Sequence, residues 1–222
     1  MKADHTARPT TRPPRRPTAR GRVSRALVLT SATNMASREG LENVTIGRLA
    51  TDVGMSKSGL VTLFGDKIDL QLAVIAHGRQ VFIDAITERL DRQPSELPQT
   101  WRFVTAWMSY EHDGVFPGGC LLTALSAEYA GRTGGPVRDT VERMGREWLA
   151  ALADAARTDQ AAGHLPPTVD PDQIAFSLRA VFLVTNWHWK LFGDPESFER
   201  GRALAATILG QPPQPPPERG PR

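Results

Sequence analysis

Between residues 24 and 209 apolar side chains recur at intervals of three and four, and no convincing stretch alternates apolar and polar with a period of two. This pattern predicts an all-α chain of about nine helices and no sheet. The first helix is expected from about Ser24 to Glu39, with Ala26, Leu27, Leu29, Thr30, Thr33, Met35 and Ala36 on or near its inner face and Gly40 as its stop. Two short helices follow, near 46–53 and 57–63. A long one runs from Lys67 to about Arg92 behind Asp66, its inner face marked by Leu70, Val74, His77, Val81, Ala85 and Ile86. Pro94 and Pro98 break the pattern. Further helices are expected from Pro98 to Glu111, Cys120 to Ala130, Pro136 to near Gly163, Pro171 to about Phe192 behind Asp170, and Pro195 to about Leu209 behind Asp194. Without internal repeats, such a succession makes a bundle and not a solenoid.

The two short helices lie in the segment TIGRLATDVGMSKSGLVTLFGDK, residues 45–67. Ile46, Leu49, Ala50 and Val53 share one face behind a Thr45 cap; Leu60, Leu63 and Phe64 share another behind a Ser56 cap. Two helices of about two turns that cross steeply need a small residue at the crossing and a turn residue that accepts positive φ. Ala50 and Gly54 meet those needs, and Met55 is placed to fill the space beneath the turn. Neither helix is long enough to stand alone, so the helices on either side must complete their core. This is the pattern of a helix-turn-helix, whose second helix enters the DNA major groove. Its outward residues Lys57, Ser58, Gly59, Val61 and Thr62 are short or basic, as a helix lying in a groove requires. An ordinary helical corner gives the same apolar spacing; the two caps and the charge upstream favour the first reading.

That charge is unevenly spread. The 222-residue chain has a formal net charge of +3, yet residues 1–25 hold eight Lys or Arg against the single acid Asp4, and the remainder has a slight excess of acid. A basic arm of this kind suits a polyanion, because each Arg that neutralises a phosphate releases a counterion; a solvated tail without a partner reads equally well from the arm alone. Residues 1–22, with Pro9, Pro13, Pro14 and Pro17, are expected to form a disordered arm. Residues 23–66 make the helix-turn-helix unit, 67–210 a larger helical domain, and 211–222 a Pro-rich tail. The hydrophobic share of 40% and charged share of 23% are those of a soluble globular protein. The longest apolar run, Ala180 to Val184, is far too short to span a membrane, and the arm has no apolar segment behind it, so a cytoplasmic location is expected. One cysteine, Cys120, excludes an internal disulfide and a cysteine-rich metal site.

The order of a helix ending SREGLENV, the capped stretch TIGRLATDVGMSKSGLVTLFGDKIDLQLAV and a long helix after it resembles the DNA-binding domain of the TetR family of bacterial transcriptional regulators. The likeness covers about residues 24–76 and is most specific from Gly54 to Lys67. Similarity to one branch of the family extends to VFPGGCLLTALSAEYAGRTGGPVRD and NWHWKLFGDP. The resemblance implies an all-helical homodimer whose first three helices bind operator DNA and whose larger domain pairs with its twin and takes a small-molecule effector. It places Thr45 and Lys67 on operator phosphates and Lys57, Ser58, Gly59 and Thr62 on the recognition helix. Many relatives carry an aromatic where this chain has Val61, which puts a phosphate brace in doubt and allows contact with a thymine methyl instead. Arg20, Arg22 and Arg25 are expected to compensate along the backbone or in the adjacent minor groove.

In the larger domain Trp101, Met108, Leu122, Leu125, Trp148 and Phe182 are candidate effector-pocket walls, although each such side chain alone is more often plain core. Val181, Val184, Trp187, His188 and Ile208 are candidates for a dimer seam in the last two helices, as the resemblance implies. Cys120, at an expected helix N-terminus where the dipole would lower a thiol pKa, is a candidate sensor, though a lone cysteine in an apolar stretch is more often buried packing. Glu111, His112 and Asp113 read as a solvated or capping cluster at a helix end. The five scattered histidines form no metal or catalytic motif, and no phosphate-cradling glycine loop occurs, so no cofactor and no enzyme is expected. The reading is a ligand-released repressor on a palindromic operator; the alternative is a basic-arm DNA-packaging protein without sequence preference.

Overall fold

The structure is a computed structural model that describes residues 19–210, with side chains from Ser24 onward. Its elements are α1 (Ala19–Glu39), a 3-10 turn (Leu41–Asn43), α2 (Ile46–Asp52), α3 (Lys57–Phe64), α4 (Lys67–Asp91), α5 (Gln99–His112), α6 (Leu121–Tyr129), α7 (Pro136–Ala161), α8 (Pro171–Phe192) and α9 (Glu196–Leu209). Among the described residues no strand occurs. The all-α expectation holds, and most helix ends fall within a residue or two of those expected.

The ends are set where local chemistry satisfies the first amides of each helix. Thr45 Oγ1 accepts from the Arg48 amide at 3.2 Å, and Ser56 Oγ from the Gly59 amide at 3.1 Å. Asp66 and Asp69 form a reciprocal capping box at the start of α4. Asp170 accepts from the Asp172 amide at 3.0 Å with Pro171 behind it. Asp194 accepts from the Glu196 amide at 2.9 Å, which starts α9 after Pro195. Ser56→Ala is expected to lower stability by about 1 kcal/mol, the usual worth of an N-cap, read as a lower urea midpoint at unchanged slope.

Two expectations about α1 change. It begins at Ala19, so the last four residues of the expected arm are helical, while the rest of the arm lies outside the described residues. Its buried face is carried by Val28, Leu29, Ala32, Thr33, Met35 and Ala36, whereas Leu27 is 67% exposed and Ala26 and Thr30 are also outside. The helix has adjacent apolar stripes, and the helices it meets, chiefly α4 and α6, decide which one is covered.

Helices α1 to α3 form a head around Leu41, Val44, Leu49, Ala50, Leu60 and Phe64, closed below by Leu70 and Val74 of α4. The turn between α2 and α3 follows the sequence reading: Ala50 is buried, Gly54 takes φ +64°, and the Met55 amide donates to the Ala50 carbonyl at 3.0 Å. The body is α5 to α9, with α5 and α7 packed against α4, α7 lying along α8 and α8 along α9. Head and body meet at two glycines. A Cβ on Gly78 of α4 would run into the Leu121 side chain of α6 and crowd Thr33 of α1; one on Gly118 would overlap the Ser37 carbonyl of α1. The Gly118 amide donates to Ser37 Oγ at 3.1 Å across that seam.

Candidate nucleic-acid interface and effector domain

The exposed face of α3 carries the side chains singled out in the sequence. Lys57, Ser58, Val61 and Thr62 are exposed, Val61 by 49%, while Leu60 and Phe64 on the opposite side are buried and Leu63 partly so. Ser58 Oγ lies 3.2 Å from Ser56 Oγ, and the Thr62 hydroxyl donates back to the Ser58 carbonyl at 2.9 Å, so the polar groups on this face are ordered along the helix. Lys57 leans across α2: its Nζ lies 3.8 Å from where a Cβ on Gly47 would sit. This brings its ammonium to the first turn of α2, near Thr45. Gly59 is half-buried, and a Cβ there would lie 3.1 Å from Ser56 Oγ.

Arg25, exposed on α1, holds its guanidinium 5.0 Å over the Phe64 ring, where α3 ends. The side chains of Arg20 and Arg22 lie outside the described set. Lys67 is not a free cation: its Nζ donates to Glu42 Oε2 at 2.6 Å. Glu42 Oε1 accepts from the Tyr129 hydroxyl at 2.8 Å and from Arg132 at 2.9 Å. The Lys67 ammonium first, then the tyrosine hydroxyl, hold the Glu42 carboxyl down at about 2. Because that value is depressed, the pairing contributes stability that is fully present above the ordinary carboxylate range and is lost progressively as pH falls from there to about 2.

In the body the large aromatic side chains pack against one another. Trp107 stacks on Phe182 with centroids 4.5 Å apart; Trp148 meets Phe82 edge-on at 5.0 Å and Phe103 at 5.7 Å. Trp101, Met108, Leu122, Leu125, Trp148 and Phe182 are all buried core. Aromatic side chains at helical spacing carry no signal that separates a wall from a filled core.

The polar groups of the body gather elsewhere. Glu111, expected to be solvated, is 2% exposed and accepts from the Asn186 side chain at 2.8 Å; its other oxygen has no partner among the described residues. Burial raises its carboxyl pKa. Its sequence neighbours do stay outside, with Asp113 accepting from Arg89 at 2.6 Å. Arg179 of α8, half-buried, reaches Thr123 of α6 at 3.4 Å. Cys120 caps α6 but is buried, and burial together with the Glu111 carboxylate pushes its thiol pKa up. Desolvation outweighs the helix dipole, so the expected activation of this thiol is reversed. In the sequence each of the two charged residues directly follows a large buried side chain, Glu111 after Tyr110 and Arg179 after Leu178.

Of the residues expected at a dimer seam, Val184 and Trp187 are exposed on α8. Val181 is fully buried core, and Ile208 and His188 are half-buried. The His188 ring instead lies 2.8 Å from the Ser197 hydroxyl, bracing α8 against α9. The outward stripe of α8 is Phe176, Leu183, Val184, Trp187 and Leu191, at 67, 39, 47, 54 and 62% exposure, with Leu204 of α9 beside it. Among the described residues no three His, Cys, Asp or Glu are grouped to hold a metal, and no helix is long and apolar enough to cross a membrane.

A family model described as the tetracyclin repressor-like C-terminal domain matches residues 97–205. No curated protein matches the sequence. A TetR transcriptional regulator from Chloroflexus aurantiacus superposes with a TM-score of 0.77 at 21% identity, covering 87% of this chain and 98% of its own. A TetR-family regulator from Cytophaga hutchinsonii does so at 0.75 and 16% identity, covering 87% and 96%. One from Agrobacterium tumefaciens gives 0.71 and 19%, covering 86% and 97%. At these identities the structural likeness speaks for the fold, head and body together.

Proposed function

Because the chain belongs to the TetR family of transcriptional regulators, we propose that it is a homodimeric repressor that binds a palindromic operator and is released by a small molecule bound in the body. The observation that carries this reading is the outward face of α3. Four side chains, Lys57, Ser58, Val61 and Thr62, stand clear of the core on a helix capped and braced by the rest of the head. They suit base edges and thymine methyls, while Thr45, Lys57, Lys67 and Arg25 suit the phosphates on either side. A single head offers too few contacts for specific binding, so the apolar stripe of α8 is assigned to a second copy of the chain, which would set two α3 helices at half-sites about one DNA turn apart.

The effector is assigned to the corner where α5, α6 and α8 meet. There Glu111, Asn186 and Arg179 offer polar groups inside an aromatic surround, as small-molecule sites require. Its binding would favour a dimer with wrongly spaced heads, by no more than its differential affinity for the two arrangements.

The deciding experiment retains genomic fragments on the purified protein in the presence of competitor DNA and sequences them. Enrichment of a palindrome supports the proposal, and the genes beside it suggest effector classes to add back. A protein that retains all sequences alike, at every salt concentration, has a specificity ratio near one and is a packaging protein instead.

A further inference from the structure

The pairing around Glu42 does more than fill a gap between head and body. Glu42 lies in the 3-10 turn of the head, and its two oxygens face different ways. One accepts from Lys67 at 2.6 Å; the other accepts from Tyr129 at 2.8 Å and Arg132 at 2.9 Å, at the far end of α6. Glu128, beside Tyr129, reaches back into the same turn and accepts from the amides of Leu41 and Glu42 at 2.7 and 2.9 Å. Arg132 also lies 3.8 Å from Glu128 and stacks 4.5 Å over the Tyr129 ring. The result is a neutral square of four charges: Glu42 and Lys67 in the head, Glu128 and Arg132 in the body.

Lys67 is the corner that faces outward. It begins α4, its side chain is 46% exposed, and it lies on the same edge of the head that is assigned to DNA phosphates. A phosphate and the Glu42 carboxylate compete for one ammonium. Which of them wins depends on how well Glu42 is compensated when Lys67 leaves. With Arg132 and Tyr129 in place, the carboxylate keeps two charge-assisted partners and gives up the lysine cheaply. With the end of α6 withdrawn, Lys67 is the one cation left to it among the described residues.

We infer that Glu42 regulates the availability of Lys67 to DNA, and that the end of α6 sets that availability through Arg132 and Tyr129. Docking of α6 releases the lysine to a phosphate; retraction of α6 returns it to Glu42. The inference rests on the DNA-binding reading of the head, and it assigns to a residue outside that interface a sign as well as a role.

The test is a double-mutant cycle on the full-length protein, with dissociation constants measured on the enriched fragment across a salt series. Arg132→Ala is expected to weaken binding about fivefold, from a modest loss at each of two heads. It should also lower the salt slope by about one phosphate contact per head. In a Glu42→Gln background, where no carboxylate can reclaim the lysine, the same Arg132→Ala change is expected to alter binding less than about twofold. Lys67→Ala should likewise make binding indifferent to Arg132. Thermal unfolding of each variant checks that the head is intact, and Tyr129→Phe, which removes only a hydroxyl, should shift binding in the same direction as Arg132→Ala by a smaller factor. An Arg132→Ala loss of equal size with and without the Glu42 carboxylate, or no loss at all, overturns the inference while leaving DNA binding itself standing. A wild-type protein that retains no DNA overturns the DNA-binding reading and this inference with it.

Discussion

Asp159→Ala is expected to lower the stability of the body by about 3 kcal/mol, the range for a buried polar network that loses its acceptor. Asp159 is 1% exposed near the end of α7, and its carboxylate is the N-terminal cap that α5 does not have locally, since Pro98 offers no side-chain acceptor. One oxygen accepts from the Gln99 amide at 2.6 Å; the other accepts from the Thr100 amide at 2.8 Å and the Thr100 hydroxyl at 2.6 Å. Alanine leaves two buried donors and one half-buried donor without their acceptor, and it removes a negative charge from the positive end of a helix dipole. Asp159→Asn separates the chemistry from the volume. The amide fills the same space, but its NH2 must face a donor, so it should recover less than half of the loss. Urea unfolding followed by circular dichroism measures both. An Asn variant as stable as the parent would mean that shape and not the carboxylate holds α5 to α7.

Trp187→Glu combined with Leu191→Glu is expected to give a folded monomer whose operator affinity is reduced by roughly a hundredfold or more, because one head reads one half-site. Both side chains are more than half exposed in the single chain, so acids there cost the monomer little. In a dimer built on this stripe, four carboxylates would be forced into an apolar seam, and an unpaired buried charge is far costlier than any lost contact. Light scattering reports the mass and circular dichroism the fold. A variant that remains dimeric places the seam elsewhere; a monomer that still binds the palindrome tightly removes the need for pairing.

The helices were legible because their boundaries are local: Thr45, Ser56, Asp66, Asp170 and Asp194 each satisfy amides two or three residues away. The α2–α3 corner was legible for the same reason. What escaped the sequence depends on distant partners. Nothing near Leu27 reveals that α4 and α6 cover the next stripe of α1 instead. Lys67 reads as a free cation until Glu42, 25 residues earlier, is folded against it, and Glu42 in turn depends on Tyr129, 87 residues on. Glu111 sits at the end of a helix and so looks solvated; α8 arrives over it with Asn186 and makes it core. Spacing marks a residue as inward-facing, but the identity of the neighbour decides whether it lines a site, pairs a charge or fills a void.

The two glycines at the seam bear on how such proteins can be recombined. Gly78 admits Leu121, and Gly118 rests on the backbone of Ser37, so each surface is shaped to a specific counterpart across the junction. A cut at residue 66 would strip Leu70 and Val74 from beneath the head and leave these surfaces facing a stranger. The head is therefore not a cassette that ends where α4 begins. A chimaera that keeps this head needs α4 through α6 from the same parent, and the natural crossover point lies after Arg132, which makes the last bond to the head among the described residues.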